Sequence, residues 1–117
     1  MTEDMWGYQP ESGYRQGVDL TGFKVEATDG HIGKVDEHSD EAGAAYLVVD
    51  TGVWIFGRHI LLPAKTIERI DADRHTVHVN RTKAEIKDAP EFQRGEEAHR
   101  EPTYLDQFAK YYRQPHM

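Results

Sequence analysis

The chain has 117 residues, 38% of them hydrophobic, with 14 Lys and Arg against 21 Asp and Glu and a formal net charge of −7. That length allows one ordinary domain with tails, the modest apolar share means that part of the chain is not core, and the acidic balance argues against general nucleic-acid binding, because such a surface repels phosphate backbones. There is no cysteine, so disulfides, thiolate chemistry and Cys-ligated zinc are excluded.

The amino terminus, MTEDMWGYQP, lacks the charged-then-apolar order of a secretory signal. No apolar run approaches the ~20 residues that cross a bilayer, so a soluble cytoplasmic chain without membrane insertion is expected. Residues 1–18 are polar, with Trp6, Tyr8 and Tyr14 among Gly, Gln and Pro. That composition predicts a flexible arm, whose aromatics leave open that it packs back on the domain or on a partner.

Phe23 to Thr28 alternates as a half-buried strand, with Lys24 and Glu26 facing out. Asp29-Gly30 is a hairpin signal, and the return strand runs from Ile32 to His38. Ile32 and Val35 are three apart, which on a regular strand puts them on opposite faces. A bulge at Gly33 returns them to one face and bends the strand, as a small closed barrel requires. Residues 39–44 form an acidic turn, and Ala45 to Val49 is a continuous apolar run that predicts burial on both faces. Val53 to Phe56 and His59 to Leu62 are further apolar strands, the latter stopped by Pro63. Thr66 to Ile70 and Thr76 to Asn80 follow, with a turn at 71–74. About six short strands at spacings of ~8–12 residues predict a small barrel or sandwich.

Thr82-Lys83-Ala84-Glu85 fits a capping box, opening a brief helix over 83–88 that Pro90 stops. A second, amphipathic helix is expected over 104–113, with Leu105, Phe108 and Tyr111 or Tyr112 on one face. At about ten residues it is marginal alone, so this face should dock on something.

The ordered set Leu20-Thr21-Gly22, Asp29-Gly30-His31-Ile32-Gly33-Lys34-Val35, Tyr46-Leu47-Val48-Val49-Asp50 and Ile60-Leu61-Leu62-Pro63 resembles the PRC-barrel domain. That domain occurs in the H subunit of photosynthetic reaction centres, at the carboxyl end of a ribosome maturation factor, and in small stand-alone bacterial proteins. The resemblance covers residues 19–81 and implies a mainly β, small, highly bent barrel of about six strands. Residues 82–117 then form an extension with short carboxyl-terminal helices. The family's members mostly act as docking or assembly modules.

Chemistry-bearing residues are sparse. His75 and His78, read on one strand, point to opposite faces and cannot chelate together. His59 neighbours Arg58, and His31 and His38 sit near strand ends, so no metal site and no cofactor are expected. The acidic pairs lie mostly in turns, DEHSDEAG does not match a calcium loop, and Ser12 and Ser39 lie in no nucleophile elbow. With no phosphate loop or dinucleotide fingerprint, no catalytic residues are assigned and a non-enzymatic protein is expected.

Val53 to Arg58 stands out, because four bulky apolar residues in a row exceed what one strand face buries in a thin barrel. Either both faces are covered within the chain or side chains are offered to a partner. Trp54, Ile55, Phe56 and Arg58, with Leu105, Phe108, Tyr111 and Tyr112, are therefore the candidate protein-interface residues. The expected function is a docking module, homodimeric through these segments, with a further unidentified protein partner. An RNA-processing or ribosome-assembly accessory would instead need Arg58, Arg69, Arg74 and Arg81 on one face. A cytoplasmic cap on a membrane complex is the third reading.

Overall fold

A computed structural model describes residues 5–8, 12–14, 18–39, 45–52, 59–90, 92 and 102–113. Six strands, β1 (Lys24–Ala27), β2 (Gly30–Ser39), β3 (Tyr46–Asp50), β4 (His59–Pro63), β5 (Ile67–Asp71) and β6 (Thr76–Val79), form one mixed sheet in the order β4-β3-β2-β1-β6-β5. Among the described residues two helices follow, α1 (Lys83–Lys87) and α2 (Pro102–Arg113). The fold is mainly β and barrel-like, as expected. None of the described helices is long and apolar enough to cross a membrane.

The topology dictates the curl. β1 to β4 pair antiparallel in succession, β5 is antiparallel to β6, and β6 is parallel to β1. It follows that β4 and β5 run in the same sense although they lie at opposite margins of the sheet. Only the 3-10 turn Ala64–Thr66 separates them. Laid flat, six strands put the outer two roughly 24 Å apart, whereas the step from Pro63 to Ile67 spans at most about 14 Å fully extended. The sheet must therefore roll until its margins meet at this corner.

The corner is buried, and its backbone groups are bonded. Ala64 N–H donates to Ala45 O at 3.0 Å and Lys65 N–H to Met5 O at 3.1 Å. Asn80 N–H donates to Thr66 O at 2.9 Å, and the Thr66 hydroxyl donates to Pro63 O at 2.7 Å. Residues 5–8 and 12–14 of the expected arm pack on the barrel, the course that their aromatics left open. Met5 is fully buried in the core, while Trp6, Tyr8 and Tyr14 lean on it. The physical reason is that Met5 both fills the barrel end and caps an N–H of the corner.

Rolling gives the sheet an inner wall, filled by Val25, Ile32, Val35, Leu47, Val49, Ile60, Leu62, Ile67, Val77 and Val79. Three bulges keep these residues pointing inward. The register slips by one residue at Ile32–Gly33 on β2, at Asp36 on β2 and at Glu68 on β5. The slip at Gly33 puts Ile32 and Val35 on the same buried face, as their spacing predicted. The turn before it is Thr28–Asp29, with Ala27 and Gly30 paired across it. The capping box also forms: the Thr82 hydroxyl accepts from Glu85 N–H, and a Glu85 carboxylate oxygen accepts from Thr82 N–H, each at 3.1 Å. α2 starts two residues earlier than the periodicity indicated, with Pro102 in the first position, where a missing N–H costs nothing.

Gly33 is required by a close approach. A Cβ built there would lie 2.1 Å from Asp50 O and 3.0 Å from Thr51 Cα, all backbone that cannot give way. Gly33→Ala should therefore cost roughly 3 kcal/mol, through strand displacement at the bulge. Urea unfolding followed by tryptophan fluorescence would measure it. A loss below about 1 kcal/mol would show that the β2–β3 approach is looser than described.

Candidate functional site

Two parts of the outer wall carry chemistry. The first is the apolar back of β3 and β4. Val48 and Leu61 are register partners whose neighbours along each strand face the core, so both point outward. They are nevertheless fully buried, covered by Phe92 and by Phe108 of α2, with Trp6, Tyr46 and Leu105 around them. This is the burial on both faces that the run from Ala45 to Val49 implied.

The expected interface residues on α2 therefore meet this chain's own barrel. Phe108 and Tyr112 are completely covered, while Leu105 and Tyr111 keep part of their surface. The helix is tied at its carboxyl end, where the Arg81 guanidinium donates to Tyr112 O at 2.6 Å and places a cation at the negative end of the helix dipole. The Tyr111 hydroxyl donates to Glu85 O. Trp54, Ile55, Phe56 and Arg58 lie outside the described residues.

The second part is the outer face of β2, β1, β6 and β5. In one row across the ladders His31 pairs with Glu26, Glu26 with His78, and His78 with Arg69. In the next outward row Lys34 pairs with Lys24, Lys24 with Thr76, and Thr76 with Asp71. A polar depression of about 420 Å³ lies between Glu26, Arg69, Asp71, Arg74, Thr76 and His78. Arg69 and Arg74 thus share a face, whereas Arg81 is turned to α2. The outward reading of Lys24 and Glu26 was correct, but sequence reasoning missed the rows. Their members are brought together by pairing register, which no local pattern encodes.

The histidines separate into different settings. His31 Nδ1 lies 2.7 Å from Glu26 Oε2. His59 Nε2 lies 3.7 Å from Asp36 Oδ2. His38 Nε2 accepts from Leu20 N–H at 3.2 Å and lies 3.4 Å from Asp19 Oδ1. The Thr21 N–H, donating to the Asp19 carboxylate at 2.9 Å, holds its pKa below the ordinary carboxylate range, with help from the Thr21 hydroxyl and from His38. His75 sits before β6 in a left-handed turn at φ 50°, not on the strand, and meets the Phe23 ring edge-on at 5.0 Å. Among the described residues no three His, Asp or Glu side chains come together as metal ligands.

Two further depressions are mainly apolar. One, of about 430 Å³, lies between Tyr14, Val18, Leu20, Phe23 and Ile70. The other, of about 390 Å³, lies over the Gly33 bulge beside Thr51 and Gly52.

No family model matches the chain. No curated protein matches it either. Among solved structures, a 16S ribosomal RNA processing protein, RimM, from Pseudomonas aeruginosa is similar at 23% identity and a TM-score of 0.44, over 52% of this chain and 40% of that chain. The likeness spans less than half the length of that protein.

The seat of α2 has a readable alkaline limit. Burial pushes the Tyr111 phenol above its ordinary value, and the nearby Asp88 and Glu85 carboxylates add to the rise. The folded form therefore holds the proton more tightly. This contribution is full below the unfolded phenol's ~10 and is lost as pH rises through the folded value. Absorbance titration should show one tyrosine ionising late, and Tyr111→Phe should remove that step. An unchanged profile in the variant would place the late phenol elsewhere.

Proposed function

We propose that this chain is a non-enzymatic protein–protein docking or assembly module of the PRC-barrel type, acting as a homodimer. The observation that supports it best is the apolar outer wall at Val48 and Leu61, which is covered by an amphipathic helix of the same chain. A barrel wall that receives such a helix is a helix-in-groove device. Residues 93–101 join Phe92 to α2, and seating α2 on a second copy would reproduce every contact of the wall. Exchange of an identical element is a low-cost route to a two-fold dimer. Sedimentation at tens of micromolar should give a dimer for the full chain and a monomer once residues 100–117 are deleted. A strict monomer whose behaviour does not change on deletion would overturn the homodimer.

A second reading, an RNA-processing or ribosome-assembly accessory, draws support from Arg69 and Arg74 lining one depression beside Lys24 and Lys34. It predicts binding to a structured RNA that weakens steeply as salt is raised. No binding at about 20 mM salt, where screening is least, would end it.

A further inference from the structure

His38 stands near the end of β2, opposite Leu47 of β3, whose own partner on β4 is Leu62. Leu47 and Leu62 belong to the inner wall, so the imidazole shares an inward row, and only 16% of its side chain is exposed. Residues 19–23 run beside the same strand. Gly22 N–H donates to Val35 O and Val35 N–H to Phe23 O, each at 2.8 Å. That course brings two groups to one ring nitrogen. Leu20 N–H donates to Nε2 at 3.2 Å, and Asp19 Oδ1 lies 3.4 Å from the same atom. Nδ1 is buried and has no hydrogen-bond partner among the described residues. Leu47 and Leu62 bring no charge to the ring, and Asp19 is the one charged residue of 18–23. On β2 itself, Glu37 stands in the outward row with Val48 and Leu61, and Asp36 lies 3.7 Å from His59.

The two partners exclude one another. A neutral imidazole has one ring lone pair, so accepting from Leu20 N–H at Nε2 puts its proton on Nδ1. A protonated ring is a donor at both nitrogens, so Nε2 no longer accepts and its N–H has Asp19 within reach. We propose that His38 is a pH-sensitive latch, which holds the Leu20 N–H when neutral and the Asp19 carboxylate when protonated. The carboxylate is ready for this exchange. Thr21 N–H donates to the same Oδ1 at 2.9 Å, and the lowered pKa of Asp19 keeps it charged throughout the range in which a histidine titrates. Proton uptake thus replaces a neutral bond to the backbone by a charge-assisted one between side chains. The released group belongs to a residue with a fully buried side chain, which with Val18 and Phe23 lines the apolar depression of about 430 Å³. The latch therefore sets how firmly one wall of that depression is held, more firmly above the imidazole range than below it.

Nitrogen-15 NMR of the full chain tests this between about pH 8 and about pH 5, where imidazoles change charge. At the upper end His38 Nε2 should carry the lone pair and Nδ1 the proton. As the ring takes up its second proton, the Leu20 amide proton should move upfield with the same midpoint, because its acceptor is lost. The Val35 amide, bonded to Phe23 O, should move far less. Asp19→Asn keeps an oxygen for Thr21 N–H but removes the charge, and should shift the shared midpoint to lower pH. A proton on Nε2 at the upper end, a Leu20 amide that does not follow the ring, a Val35 amide that moves as far, or a midpoint unchanged in Asp19→Asn would each overturn the latch. None of these readouts involves the α2 wall, so the failure of the latch and the failure of the homodimer are separately visible.

Discussion

The corner between Pro63 and Ile67 is the constraint on which this fold depends. Two strands of the same sense, at opposite margins of one sheet, are joined by Ala64–Thr66 alone. No flat arrangement allows that connection, so the chain has to roll the sheet. The cost of a tight buried corner is met locally. Its N–H and C=O groups find partners on Met5, Ala45 and Asn80, and the Thr66 hydroxyl satisfies Pro63 O. A buried backbone group without a partner costs about 1–3 kcal/mol, so several such groups at one corner would rival the stability of a small domain. Met5 is thus part of the barrel's closure.

Rolling also explains the bulges. β2 is the longest strand, with ten residues, and it serves β1 at one end and β3 at the other. A straight strand cannot follow both neighbours around a narrow barrel while keeping one face inward. The slips at Ile32–Gly33 and at Asp36 bend it twice and restore the inward phase after each bend. Gly33 sits where the bend brings two backbones into contact, so its lack of a Cβ is the condition of the closeness. Glu68 does the same for β5 immediately after the corner.

Much of this could be read from residue order because it is local. The alternation from Phe23, the broken step from Ile32 to Val35, the doubly apolar run at Ala45 to Val49 and the Thr82–Glu85 box each depend on neighbours within a few residues. The rest depends on partners far along the chain. Glu26 and His78 become neighbours only when the first strand pairs with the last. Met5 lies in the core, and its carbonyl accepts from Lys65 N–H at a corner sixty residues along the chain. Polarity marks residues 5–8 and 12–14 as part of an arm, and composition does not reveal that Met5 is buried in the core. The face around Phe108 was legible as something that must dock, but not on which surface.

A barrel this small fills its interior with its own side chains. Val25, Ile32, Leu47, Val49, Leu62, Ile67 and Val77 are fully buried there. Specific chemistry is left to the outside of the same sheet, and the two outer regions have opposite character. Behind β3 and β4, burial of Val48 and Leu61 favours an apolar, geometrically fixed contact that a helix can supply. Across β1, β2, β5 and β6, exposed charge favours a contact that is weaker, steered by field and sensitive to salt. One curled sheet can hold both because strands on different sides of the roll present unrelated outward rows. A change that alters the charged rows leaves the inward rows between them, and so the core, untouched.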